Sequence, residues 1–348
     1  MPVNVERVAG NLAASTPTVD GLRAALLGAV RSVVPVDAAF VAIVDPETLL
    51  FTRAWAEEPL AAVAPVFVDH EFAPAQDVNR FAELAVARSP VASLDQATRG
   101  ERDSSARYRE VIDPIGLGDE MRVAMRAGST TWGFLCLHRA GDASFAPSEL
   151  ATARRLAPHL ASAISRTVAA AAAQGDHDGA PHAVIVATRE VIVAVGGDAD
   201  EWLEQADGRV AGVGDPLPDP LRWAVRRLEM VEHGDPAAPP AALRYPTRAG
   251  GLASVHATRL HDAADETLVV LTVSPAGAAE RASYMLAAHG LTPAQRRVAA
   301  LVVRGLTTRQ IAVSLEISVH TVQDHLKAVF ERFGVASRRE LVGVLLHP

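Results

Sequence analysis

LTPAQRRVAALVVRGLTTRQIAVSLEISVHTVQDHLKAVFERFGVASRRELVGVLL, residues 291 to 346, carries four helix-start signals in succession, and its reading decides the fold of the C-terminal region. Thr292-Pro293-Ala294-Gln295 puts a hydroxyl at the cap, Pro at the first helical position and Gln three residues on, where its amide can bond back to the cap. Thr307 with Gln310 repeats that pattern, Ser318 starts a third helix, and Ser337 with Glu340 opens a fourth. Gly305 and Gly334 stand where helices must stop, because only glycine enters the left-handed terminal position without steric cost. The segment therefore reads as four short, sharply bounded helices.

The third helix carries the function. Val322, Leu326, Val329, Phe330 and Phe333 recur at steps of three and four, which predicts a buried stripe against Leu301, Ile311 and Leu315. That orientation turns Thr321, Gln323, Asp324, Lys327 and Ala328 outward. A helix ending near Leu315, a turn at Glu316 and Ile317, and then a polar-faced helix is the helix-turn-helix plan, whose second helix enters the major groove. Gln pairs bidentately with adenine, and Lys reaches guanine or phosphate. Asp324 is repelled by phosphate, so it either accepts from a cytosine amine or rejects wrong sequences. A dimerisation or docking bundle is the bland alternative, but it needs no polar outer face on this helix.

With these residues in view, the segment resembles the LuxR-type (NarL/LuxR) helix-turn-helix of bacterial transcription regulators. Leu291, Thr292, Pro293, Gly305, Ile311, Ala312, Ile317, Ser318, Thr321, Val322, His325, Leu326, Gly334, Val335 and Ser337 fall on the family pattern. The resemblance implies that Gln323, Asp324 and Lys327 face bases and that Ser318, Thr321, His325 and Arg338 approach phosphates. It also implies that Leu341, Val342 and Leu345 of the last helix join two copies. Gln295 and Arg297 depart from the family, which usually has Glu at both positions; Gln295 keeps the capping geometry, and Arg297 makes the region more positive.

Charge agrees with that placement. The 348-residue chain carries a net charge of −8, yet residues 291 to 348 hold eight basic and four acidic side chains, leaving the tail at +4 and the remainder at −12. Affinity for nucleic acid is thus expected at one end only, although charge blocks are often merely solvated faces. Lys327 is the only lysine, whereas arginine and alanine abound, a usage resembling GC-rich coding of the actinobacterial kind. A lone lysine removes the P-loop and Schiff-base chemistries, and it disfavours a phospho-receiver domain. The single cysteine, Cys136, lies in the apolar run Trp132 to Leu137, which excludes a disulfide framework within one chain and reads as a buried strand residue. Glu6 and Arg7 stand where a signal peptide needs an apolar core, and no apolar run reaches the length of a membrane span, so a cytoplasmic protein is expected. No nucleophile elbow or zinc-protease motif is found. The acidic pairs Glu57-Glu58 and Asp119-Glu120 are expected in loops or turns, without a catalytic role.

Residues 17 to 170 read as helix, strands, helices, strands, helix. Leu22, Leu26, Val30 and Val33 mark an amphipathic helix ending before Pro35, Ala39 to Val44 a strand, and Leu49 to Ala56 its partner. Asp119 to Arg126 and Thr131 to His138 form a hairpin around Gly128-Ser129, followed by a helix from about Pro147 to Ala170. This order resembles a GAF domain, which implies a six-stranded sheet enclosing a small-molecule pocket. The pocket would lie between the sheet and residues 66 to 115, lined by Phe67, Phe72, Phe81, Tyr108 and Trp132, with Arg107, Arg109 and His70 orienting a polar ligand. Each of these is also a plain core or surface residue on the bland reading.

Gly175 to Gly179 marks a boundary. Strands at Ala183 to Ala187 and Val191 to Val195, a short helix with Trp202, a helix over Leu221 to Glu232, a break at Pro236 to Pro240 and three strands at Ala242 to Tyr245, Ser254 to Leu260 and Thr267 to Val273 follow. This order resembles a degenerate PAS domain, either a second sensor or a structural spacer that pairs subunits.

The expected architecture is multidomain: an α+β GAF-like sensor over 1–173, an α+β PAS-like domain over 180–276 and an all-α four-helix LuxR-type domain over 286–348. The expected function is a one-component transcription regulator, not an enzyme, that binds double-stranded DNA as a homodimer under a small-molecule effector, with RNA polymerase as a further partner and no cofactor, metal or membrane. Two alternatives stand beside it. A GAF-type enzyme such as a methionine sulfoxide reductase needs several cysteines, and a sigma-factor-like subunit needs an aromatic, basic melting helix; neither feature is visible.

Overall fold

The computed structural model describes residues 5–15, 18–72, 77–173, 182–233, 240–260 and 268–346. The expected boundary at 175–179 and most of the break at 236–240 lie outside these.

After α1 (Val5–Ala14), α2 (Leu22–Arg31) buries Leu22, Leu26, Leu27, Ala29 and Val30 on one stripe. β1 (Ala38–Val44) is buried at every position, as a continuous apolar run demands when both faces of a sheet are covered. β2 (Phe51–Ala56), α3 (Ala64–Phe72), α4 (Phe81–Val86), β3 (Val91–Ser93), α5 (Leu94–Ala97), β4 (Leu117–Ala127), β5 (Thr130–Ala140) and the long α6 (Pro147–Ala172) complete the first module. Its sheet is antiparallel in the order β2-β1-β5-β4-β3, five strands among the described residues against the six that the resemblance implies. Period-2 alternation divides the layers. Val41, Ile43, Met121, Val123, Leu135 and Leu137 pack towards α1, α2 and α6, while Phe40, Ala42, Ala124, Phe134 and Cys136 face Phe67 of α3 and Phe81 of α4.

One expected pocket residue is on the wrong side for that role. Met125 pairs with Gly133 but Arg126 pairs with Thr131, so Trp132 is the extra residue of a β-bulge. The bulge breaks the alternation and sends Trp132 into the α6 layer, where its ring meets Tyr284 edge-on at 5.7 Å.

The second module contains β6 (Ala183–Ala187), β7 (Ile192–Gly197), α7 (Ala199–Asp207), α8 (Asp219–Glu232), β8 (Ala242–Pro246), β9 (Leu252–Leu260) and β10 (Leu268–Pro275). Its sheet order is β7-β6-β10-β9-β8. α8 sits between the modules: Trp223 stacks on Phe72 at 5.8 Å and meets Phe51 edge-on at 5.4 Å, and Arg227 donates to the Thr48 carbonyl at 3.1 Å. A buried ion pair adds a second tie. Asp45, in the β1–β2 turn, accepts from the Arg244 backbone at 2.7 Å and its guanidinium at 2.8 and 3.1 Å.

α9 (Ala278–Ala288) has no counterpart in the sequence reading. It starts after Gly277, whose N–H donates to Glu280 Oε2 at 2.8 Å, and it buries Ala282, Tyr284, Met285, Leu286 and Ala287. Four helices follow: α10 (Pro293–Val303), α11 (Thr308–Ser314), α12 (Val319–Phe333) and α13 (Arg338–Leu346). Their core includes Val298, Val302, Ile311, Val322, Leu326 and Val329, with Leu301, Leu315, Phe330 and Phe333 packed at its edge. No helix among the described residues is long and apolar enough to cross a membrane.

Candidate nucleic-acid interface

Capping sets where the head's helices begin. The N–H of Gln295 donates to Thr292 Oγ1 at 3.3 Å and its Oε1 accepts from the Thr292 N–H at 2.9 Å; Thr307 and Gln310 repeat this at 3.3 and 2.8 Å. The fourth start differs in one detail. Glu340 N–H donates to Ser337 Oγ at 3.2 Å, but the Glu340 carboxylate accepts from the Ala336 N–H at 2.9 Å, one residue earlier than the usual box, and from the Ser337 hydroxyl at 2.8 Å, and these two bonds hold it below the usual carboxylate range. Gly305 and Gly334 take φ values of 84° and 64° at the helix ends. The α11–α12 turn passes through Glu316 at φ 53°, a left-handed position that here has no glycine.

The turn aims α12 with Gln323, Asp324 and Lys327 exposed along one face. Ser318 is exposed, and Thr321, His325 and Arg338 are half-buried. Two of these four residues assigned to phosphate are already engaged at the start of the helix: Ser318 Oγ accepts from the Thr321 N–H at 3.0 Å and lies 2.8 Å from Thr321 Oγ1. Arg338 Nη1 donates to the Leu306 carbonyl at 2.6 Å, tying α13 to the end of α10. Exposed Arg304, Arg309, Arg332 and Arg339 add cationic charge to the head that the motif reading did not assign. Asp324 lies 4.0 Å from His320 Nε2, one helical turn before it.

The expected pairing residues are divided. Leu341 and Leu345, four residues apart and therefore on one helical face, are fully buried in a core that includes α9, whereas Val342 is half-buried and Val344 is exposed. A pairing surface on α13 is thus limited to Val342, Val344 and their neighbours unless the helix leaves its own core.

Contacts tie the head to the first module. Arg296 Nη2 lies 3.1 Å from Ser129 Oγ at the tip of the β4–β5 hairpin. On α9, Tyr284 meets Trp132, and His289, just past the helix, stacks on Phe333 of α12 at 3.9 Å.

The expected pocket residues of the first module are mostly spent on packing. Phe67 and Phe81 are buried, Phe81 stacks on Phe134 at 4.4 Å, and Phe40 lies 5.3 Å from Phe67. His70 is half-buried with Nε2 3.2 Å from Glu110, Tyr108 is half-buried with its hydroxyl 3.4 Å from Asp113, and Arg109 is exposed. Arg107 is buried and donates to Glu120 Oε2 at 2.8 and 3.1 Å. A cavity of about 600 Å³ opens elsewhere, lined by Asp20, Arg53, Arg166 and Arg248 between the two modules; Asp20 pairs with both Arg53 and Arg248.

Reading the sequence missed the charges inside this face. Asp119 and Glu120, expected in a turn, both lie in β4 and are fully buried. Asp119 accepts from Ser93 and from the Asp95 and Phe145 N–H groups, yet burial outweighs these bonds and raises its carboxyl. Burial also opposes ionisation of Glu120, but Arg107 and Arg122 overcome it and hold this carboxyl well below its usual range. Arg122 donates to Glu71 at 2.6 Å, lies 3.0 Å from Glu120 Oε2 and sits over the Phe81 ring at 4.5 Å. The missed signal was the period-2 spacing of Glu120 with Arg122 and of Cys136 with His138.

Residues 289–345 match the luxR family of bacterial regulatory proteins, and residues 17–164 match the GAF domain. The head is therefore a LuxR-type DNA-binding helix-turn-helix and the N-terminal module a GAF domain. The tetrathionate response regulatory protein TtrR of Salmonella typhimurium is 40% identical over 72 residues, covering 21% of this chain and 34% of its own length. An HTH-type transcriptional regulator of Mycobacterium bovis is 48% identical over 52 residues, 15% of this chain and 6% of its own. The chain thus spans about a third or less of these relatives. Among solved structures, the phage VqmA–DPO complex matches at 18% identity over 47% of this chain and 79% of its own, with a TM-score of 0.25. The Vibrio cholera VqmA–ligand–DNA complex matches at 17% over 49% and 83%, with a TM-score of 0.24.

Proposed function

We propose that the chain is a one-component transcription regulator that reads promoter DNA with α12 and is biased by its two sheet modules. The observation that carries this reading is the exposed Gln323, Asp324 and Lys327 face on a helix whose start, turn and stop are each fastened by local bonds. Gln323 and Lys327 read base edges, Asp324 discriminates, and His325 with the surrounding arginines meets phosphates. The second module is read as PAS-like from its element order, and two copies pair on DNA. Coupling runs through α9, whose Tyr284 touches Trp132 and which leads into His289, stacked on Phe333 of the reading helix.

The test is selection of bound genomic fragments by the full-length chain, titrated in salt so that the phosphate contribution separates from base readout. Gln323→Ala and Lys327→Ala should each relax the selected sequence at one position by about 1–3 kcal/mol. A wild-type chain that selects no sequence at any salt concentration, or variants that select the same one, would sink the reading.

A further inference from the structure

We propose that Glu120, Cys136 and His138 hold a single divalent transition-metal ion of the zinc type on the inner face of the first sheet. Strand register brings them together. Glu120 of β4 pairs directly with His138 of β5, and Cys136 lies two residues from His138 on the same face. Their ligand atoms all fall within 4.8 Å of one another, and all three residues are fully buried. Carboxylate oxygen, thiolate sulfur and imidazole nitrogen are the donor set that zinc-like ions take.

A purely structural ion network does not account for this corner. Glu120 Oε2 is held by Arg107 and Arg122, but Glu120 Oε1 and both ring nitrogens of His138 are buried without a hydrogen-bond partner among the described residues. Such groups are rare in folded proteins without a reason, because a buried polar atom that loses water and gains no bond is destabilising. The arginines have the place of an outer shell: they fasten one carboxylate oxygen and leave the other towards His138 Nε2, 3.9 Å away. Charge points the same way. Arg107 and Arg122 face Glu71, Asp77 and Glu120, leaving one negative charge in excess. A divalent ion with Cys136 ionised brings the sum to zero.

Bonds of about 2.0–2.3 Å in a tetrahedral site put ligand atoms roughly 3.3–3.8 Å apart, so loading draws the three side chains together by up to about 1 Å. Three protein ligands leave a fourth position for water or a small anion. The Cys136 thiol loses its proton to solvent as the sulfur–metal bond forms, one proton per ion.

The full-length chain, stripped by chelator and titrated with cobalt(II) alone, tests this. The expected result is one equivalent bound with a thiolate-to-cobalt absorption band, bleached when zinc displaces the cobalt. Cys136 is the only cysteine of the chain, so that band reports this site and no surface histidine cluster. Cys136→Ser should abolish the band and His138→Gln weaken binding roughly tenfold or more, whereas His320→Gln on the exposed head should change neither. No thiolate band in the wild-type chain, or a band of undiminished affinity in a folded His138→Gln variant, overturns the proposal. The titration contains no DNA, so its outcome is separate from that of the regulator reading.

Discussion

The two sheets have the same strand order, second-first-fifth-fourth-third, and opposite relations to solvent. β1 is buried throughout, and β4 and β5 are buried along their first nine residues. In the second sheet, β6 alternates buried with exposed or half-buried positions and β7 is exposed after its first residue, leaving Val184, Val193 and Val195 open. The difference teaches what covering a second face requires. A sheet with one face in water can leave polar groups there, whereas the first sheet, with helices on both sides, must pair every charge internally. Glu120, Arg122 and Arg107 form such a network; the buried face of the second sheet carries Ile185, Val255, Val269, Leu271 and Val273 instead.

The largest expected effect separates the two. Glu120→Gln should cost about 3 kcal/mol in urea unfolding, because it removes the carboxylate that two buried guanidiniums share and leaves Arg107 only Asp77 and Arg122 only Glu71. Thr272→Gln, at an exposed position of β10, should stay within about 0.5 kcal/mol. Equal costs would break the comparison. Apolar truncation should not separate the sheets: Leu135→Ala and Leu271→Ala, both fully buried, should each cost about 2–5 kcal/mol. A large loss at one and none at the other would mean that one module contributes little to folding. Asp45→Asn tests whether the modules unfold as one body. It strips Arg244 of its buried partner while Glu47, 2.5 Å away, remains, so a loss of about 2–3 kcal/mol and a split calorimetric transition are expected. A single transition at the wild-type temperature would show that Asp45 couples nothing. A small effect of the opposite sign is expected in the head, at a turn set by local backbone geometry. Glu316→Gly relieves a left-handed residue and should stabilise by at most about 1 kcal/mol; a clear destabilisation would show that the Glu316 side chain contributes more than the turn costs.

Legibility in the sequence followed locality. The head's start and stop signals act within three or four residues, and each expected helix is present with its capping residue in place. Gln323, Asp324 and Lys327 were readable as an outer face for the same reason. Arg338 was not, because its bond to Leu306 spans 32 residues. Trp132 misled because alternation holds only where a strand is regular, and a bulge inserts the one residue that reverses it. Asp119 and Glu120 misled more deeply, since an acidic pair reads as a loop or turn unless a second layer is known to cover the strand.

By itself the sequence determined the four-helix head, the exposed face of its third helix and, apart from α1, β3 and α9, most of the strands and helices before it, because these depend on capping, periodicity and turn chemistry between near neighbours. Only the tertiary structure decided that the first sheet is sealed on both sides, that Trp223 and Arg244 tie it to the second module, that α9 packs between sensor and head, and that a carboxylate, a thiol and an imidazole meet in one buried corner. These depend on which distant layers come together, and burial then turns ordinary strand residues into groups that must find partners.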